Sequence, residues 1–167
     1  SQNRFKISVT QESIPNWKLQ AENLKNNEML EFESGLSATY QIQNLASTLS
    51  ALDVLNEKGY NISSNDIQNG LKNVVQNSGV KGRWQRIQNN ISKARIIADT
   101  GHNITAFEYI TKMLEQETHE QLHFVFATVN DKKLEGVLEL LPKNAQYYFT
   151  QANIPRALEA NELKISA

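Results

Sequence analysis

Apolar residues change their period several times along the chain, and each change marks an element. From Thr39 to Lys58 they recur at spacings of two to four, at Tyr40, Ile42, Leu45, Leu49, Leu52 and Leu55, with Ala46 and Ala51 among them. That pattern predicts a helix, and Gly59 stands where a left-handed residue would end it. A second helix is predicted from Ser64, whose hydroxyl can cap a first turn containing Asp66, through Ile67, Leu71, Val74 and Val75 to Gly79. The link YNIS makes the two a helical hairpin. Ahead of them, Met29–Ser34 alternates apolar and polar residues and stops at Gly35, as a strand does. Residues 1–27 are polar and weakly patterned. ISVTQESIPNWKLQ reads as short strand or loop, because Pro15 and the amide side chains interrupt any helical period.

The texture changes at VKGRWQ. Strand signals in GRWQRIQ and ARIIADT are followed by a helix over 104–117, a strand in HFVFATV, a helix over 133–141, a strand in QYYFTQ and a helix beginning near Pro155. Short apolar strands followed by helices imply a parallel sheet, because parallel neighbours need crossovers and the crossovers are helical. The expected fold class is α/β: a Rossmann-like, mostly parallel domain, incomplete at its C-terminus and preceded by a helical segment. The division falls at Ser78 to Gly82, giving a first domain over 1–80 and a second over 81–167.

Composition narrows the function without naming it. The chain has 167 residues, 40% of them hydrophobic, which suffices for a buried core without disulfides or a structural metal. It has no Cys, so thiol nucleophiles, Cys-ligated zinc and iron–sulfur clusters are excluded. Lys plus Arg number 17 against 18 Asp plus Glu, and neither side of Gly82 carries a basic excess. Nucleic acid and membrane surfaces are therefore not expected partners. Without an apolar membrane span or a signal-peptide layout, the expected location is the cytoplasm. The start without Met and the ending LKISA suit a piece of a longer protein.

Three places could carry chemistry. ADTGHN, residues 98–103, lies where a strand gives way to a helix, the position at which open α/β sheets collect ligands. Asp99 can accept from ribose hydroxyls, Gly101 lets a ligand approach the backbone, and His102 and Asn103 offer donors. The bland alternative is that Asp99 caps the helix and Gly101 only turns the chain. In GRW, Arg83 offers a planar fork suited to phosphate, or it is a solvated Arg beside a core Trp. Beside Tyr40, Gln41 and Asn44 share a helix face and could read a base edge, or they are simply exposed amides. HEQLH, residues 119–123, matches the spacing of a zinc protease, but it runs into the strand signal LHFVF, and a strand separates i from i+4 too far for one zinc. The Asn61, Asn90 and Asn103 sequons read as chance in an Asn-rich chain. No GxxxxGK[ST], GxGxxG or GxSxG is present.

In order, YQIQN, GRWQ, DTGHN, NDKK and PRALEANEL resemble the C-terminal portion of the folylpolyglutamate and dihydrofolate synthases, within the Mur ligase superfamily. The resemblance covers most of residues 36–163. It implies base recognition by Gln41 and Asn44, phosphate binding by Arg83, ribose binding by Asp99, and roles for His102 and Asn103 between domains. Arg83 and His102 would be the catalytic pair. DTGHN differs from the family's D-G-A-H-N in its two middle residues, which bears on turn geometry only. Arg156 falls at a family position of uncertain role.

The resemblance further implies ATP and Mg²⁺ as cofactors, with the phosphate loop and metal ligands in an N-terminal ATPase domain of which residues 1–80 are the tail. No metal site is assigned to this chain. The substrates implied are small molecules, L-glutamate and folate or dihydropteroate, joined through an acyl phosphate by a monomeric enzyme, and the piece alone would be silent. A peptidoglycan ligase of the Mur type, a free-standing nucleotide-binding or partner-docking module, and a purely structural domain are the alternatives. Convergence of Asn44, Arg83 and Asp99 would favour the enzyme.

Overall fold

The computed structural model describes residues 4–13, 16–130 and 135–167. The chain forms two compact units, Ser1–Thr100 and Gly101–Ala167.

The first unit begins with an antiparallel meander of β1 (Phe5–Gln11), β2 (Trp17–Asn23) and β3 (Met29–Ser34), with β2 in the centre. The expected β3 is found residue for residue. The opening segment, read as short strand or loop, supplies two seven-residue strands, while Ile14 and Pro15 lie outside the described residues. The signal is in WKLQAEN: Trp17, Leu19 and Ala21 are buried and alternate with polar residues. Helix α1 (Gln41–Glu57) packs on β1 and α2 (Ser64–Lys72) on β3. Their contacts close a core of Trp17, Leu19, Ala21, Phe32, Leu45, Leu49 and Leu71. Gly35 lets the chain leave β3 against α2, since a Cβ there would sit 2.8 Å from the Lys72 carbonyl oxygen.

The second helix departs from its predicted form at both ends. The cap is Ser63, not Ser64: the Ser63 hydroxyl accepts from the Asp66 amide at 3.2 Å and the Asp66 carboxylate accepts from the Ser63 amide at 2.9 Å. The helix breaks at Asn73 (φ −100°, ψ 16°), whose side-chain amide donates to the Asn69 carbonyl at 3.0 Å, and a short α3 (Val74–Ser78) follows. Gly59 and Gly79 both adopt positive φ after helices. The unit ends in a hairpin of β4 (Gln85–Ile87) and β5 (Ile96–Ala98), which pair antiparallel because the eight residues between them are too few for a crossover.

The second unit alternates as predicted: α4 (Ile104–Gln116), β6 (Leu122–Phe126), α5 (Glu135–Leu138), β7 (Ala145–Phe149) and α6 (Ala160–Ser166). β6 and β7 are parallel neighbours in register from Leu122 with Ala145 to Phe126 with Phe149. Phe107, Phe126, Val137, Leu158 and Leu163 form its core, with Phe107 edge-on to Phe126 at 5.7 Å. The predicted start of the helix over 133–141 lies outside the described residues, as do Asp131, Lys132 and Lys133 of NDKK. The last helix starts at Ala160 rather than near Pro155. Backbone groups before it are used elsewhere: Ala157 bridges Val129, the Leu158 amide donates to the Thr128 carbonyl at 3.0 Å, and the Arg156 carbonyl accepts from the Asn130 amide at 2.9 Å. HEQLH is not one helical turn. His123 lies on β6 with its Nδ1 3.0 Å from the Tyr148 hydroxyl, while the Nδ1 of His119 lies 2.6 Å from the Glu117 carbonyl oxygen.

Candidate functional site

Three separated stretches of the first unit meet around one carboxylate. Asp99 follows β5, and its Oδ2 accepts two hydrogen bonds of 2.7 Å, one from the Tyr40 hydroxyl and one from the Trp84 amide. Tyr40 is the N-cap residue of α1 (φ −68°, ψ −16°) and makes no side-chain cap, so its ring is available to reach across. The Asn44 side-chain amide donates to Gln41 Oε1 at 2.9 Å. Gln41 is buried at 5% exposure while Asn44, one turn further, is exposed. Tyr40 and Trp84 thus meet at Asp99, and the Gln41–Asn44 pair begins at the residue after Tyr40. Burial, reinforced by the Asp99 carboxylate, pushes the Tyr40 phenol well above its ordinary range. It is a donor at neutral pH.

The Arg83 turn is built on unusual backbone. Gly82 (φ 67°) and Trp84 (φ 51°) both lie in the left-handed region on either side of Arg83. Glycine suits the first position. Trp84 is held at the second by burial of its ring (5% exposed) and by the bond from its amide to Asp99. The Gly82 carbonyl accepts from the Thr100 amide at 3.0 Å and the Thr100 hydroxyl at 3.1 Å, and its amide donates to Gln85 Oε1 at 2.9 Å. Arg83 itself is exposed, and its Nη1 reaches the Gly82 carbonyl and the Thr100 hydroxyl.

Of the predicted residues, Gln41, Asn44, Arg83 and Asp99 are thus brought together. His102 and Asn103 lie at the start of the second unit, both exposed. Asn103 is the cap of α4, its Oδ1 accepting from the Ala106 amide at 2.8 Å. The capping role that composition allowed to Asp99 therefore belongs to Asn103. Sequence reasoning named Tyr40 only as the neighbour of two amides and did not foresee its bond to Asp99, because a contact spanning 59 residues leaves no local pattern. Chemically, the cluster joins an exposed guanidinium suited to phosphate, a carboxylate suited to a hydroxyl, and paired amides suited to a base edge. These residues fit a nucleotide. Among the described residues, no group of three or more His, Asp or Glu could hold a metal ion, and no helix is long and apolar enough to cross a membrane.

Comparison with known proteins gives the chain a family. The family model described as Mur ligase, glutamate ligase domain, matches residues 82–167, just over half of the chain. A curated relative, the dihydrofolate synthase/folylpolyglutamate synthase of Buchnera aphidicola, is 31% identical over 96 residues, which are 56% of this chain and 22% of that protein. Among solved structures, E. coli FolC in complex with DHPP and ADP superimposes with a TM-score of 0.69 at 23% identity, covering 98% of this chain and 35% of that one. A bifunctional folylpolyglutamate synthase/dihydrofolate synthase with Mn, AMPPNP and L-glutamate bound superimposes with a TM-score of 0.62 at 23% identity, covering 98% of this chain and 36% of that one. This chain thus spans about a fifth of the curated relative and about a third of the solved chains. The likeness to the solved chains establishes the α/β fold, and the family model reaches from the Arg83 turn to the last helix. The chain belongs to the Mur ligase family, through the glutamate ligase domain that its residues 82–167 form.

Proposed function

We propose that this chain is the C-terminal part of an ATP-dependent ligase that joins L-glutamate to folate or dihydropteroate. Residues 1–80 would close the central ATPase domain and 81–167 would form the glutamate ligase domain, consistent with a family model that begins at residue 82. The observation that carries the reading is the joining of Asn44, Gln41, Asp99 and Arg83 in one cluster, since these are the residues the family resemblance assigns to base, ribose and phosphate. Gln41 and Asn44 hold the adenine edge, Asp99 the ribose and Arg83 the phosphates, with His102 assigned to catalysis and Asn103 to the nucleotide. ATP supplies the phosphoryl group that activates the folate carboxylate as an acyl phosphate, and the amino group of glutamate then displaces phosphate and loses a proton.

The work of this chain is charge management. Arg83 neutralises developing phosphate charge, and a fixed carboxylate and fixed amides orient the nucleotide with little reorganisation when chemistry occurs. Mg²⁺ ligands and the phosphate loop belong to the remainder of a monomeric, cytoplasmic enzyme, so the chain alone turns nothing over. The test is ADP release by the complete ligase. Release is expected only when ATP, Mg²⁺, L-glutamate and a folate or dihydropteroate are all supplied. Release with a nucleotide-linked sugar peptide in place of the folate would make the parent a peptidoglycan ligase, and no release with any acceptor would contradict the ligase reading.

A further inference from the structure

Asp99 is the centre of the cluster, yet by itself it is a poor instrument. A carboxylate at the end of a three-residue strand can rotate about its terminal torsion, which is broad and soft. The Trp84 amide donates to its Oδ2, and the Tyr40 hydroxyl reaches the same oxygen at 2.7 Å from a different element 59 residues away, so donors approaching from two directions restrain that rotation. A hydroxyl on a carboxylate is a charge-assisted bond, among the stronger of its kind.

Tyr40 is itself held. It is the N-cap residue of α1 and its ring is half-buried, and the next residue, Gln41, accepts from Asn44. The phenol stays protonated at neutral pH, as a donor to Asp99 must, because burial and the neighbouring carboxylate both oppose its ionisation. The amides proposed to read the base and the carboxylate proposed to hold the ribose are therefore not independent groups: Tyr40 directly precedes the first and bonds the second.

We infer that Tyr40 is a positioning residue of the nucleotide site: its hydroxyl holds the Asp99 carboxylate beside the Trp84 amide while its backbone leads directly into the Gln41–Asn44 amide pair, so that ribose and base are met by one pre-set surface. This rests on the nucleotide reading of Asp99 above. Tyr40 touches no reacting atom. It acts on affinity for the nucleotide rather than on the chemical step, since ribose contacts are made equally in the ground and transition states.

The experiment uses the complete ligase, with ADP as the probe. Dissociation constants are measured by calorimetry for the native enzyme, Tyr40→Phe, Asp99→Ala and the double variant, together with melting temperatures, the KM for ATP and kcat. Tyr40→Phe keeps the ring and removes only the oxygen. The expected result is about tenfold weaker ADP binding and a matching rise in the KM for ATP, with kcat within about twofold, the scale of one charge-assisted hydrogen bond. In the Asp99→Ala background the same change should add nothing, because the group it positions is gone. If Asp99→Ala does not fold, Asp99→Asn, which keeps an acceptor for Tyr40 and Trp84, replaces it for the single-variant comparison only, and the ADP affinity of Tyr40→Phe at native melting temperature decides the inference. Unchanged ADP affinity in Tyr40→Phe beside weakened affinity in the Asp99 variant would overturn the inference alone and make Tyr40 merely structural. Unchanged affinity in the Asp99 variant would overturn the nucleotide reading of Asp99, and the inference with it. Additive losses in the double variant would show Tyr40 acting elsewhere than through Asp99, which also overturns it.

Discussion

Gly82→Ala is expected to destabilise the chain by about 3 kcal/mol, read as a lower denaturant midpoint at unchanged slope. Two costs combine. The residue sits at φ 67°, where a side chain is strained, and a Cβ there would fall 2.5 Å from Thr100 Cγ2. Thr100 cannot retreat, because its amide and hydroxyl both donate to the Gly82 carbonyl. The two costs separate in the double variant Gly82→Ala/Thr100→Ser, which removes the clashing methyl and keeps the hydroxyl. It should recover the steric part of the loss and leave the backbone part. A double variant no more stable than Gly82→Ala would mean that backbone strain alone is responsible.

Arg83→Ala should behave in the opposite way. Its side chain is exposed, and the groups it reaches remain partnered without it, since the Thr100 hydroxyl still donates to the Gly82 carbonyl. Stability should therefore move by less than about 0.5 kcal/mol. In the complete ligase, turnover should fall by a factor on the order of 10³, as expected of an arginine that neutralises charge on a transferring phosphoryl group. Melting and turnover measured on the same preparations separate the outcomes. A loss of turnover that tracked a loss of folded protein would place Arg83 among residues that hold the turn. Asp99 could not make this test cleanly, because its removal strands the Trp84 amide as well as the Tyr40 hydroxyl.

The strands and long helices were legible where burial acts on one face. Met29–Ser34 alternates cleanly, and Leu45 and Leu49 of α1 enter the core from the spacing that predicted the helix. The misread places are those where hydrogen bonding outweighs periodicity. The apolar pattern continues through Val74 and Val75, but the backbone leaves helical geometry at Asn73 (φ −100°, ψ 16°), where the side-chain amide and the backbone amide both donate to the Asn69 carbonyl. Arg156, Ala157 and Leu158 engage the chain at 128–130, so their backbone cannot join the helix that their composition favours. Polar residues on the exposed face of β2 hid a central strand of the meander. At the site, ordered motifs named Gln41, Asn44, Arg83 and Asp99. What they could not name is the Tyr40 hydroxyl that reaches Asp99, since the two residues share no local period.

The claim at the centre of this account is that residues on both sides of the Arg83 turn serve one nucleotide. Hydrogen exchange of the complete ligase with and without saturating ADP tests it directly, because backbone amides that gain protection report the segments a ligand orders. The account predicts slowed exchange over residues 40–44, 82–84 and 99–103 together, with β1, β2 and α2 unchanged. Slowed exchange confined to residues outside this chain would contradict it.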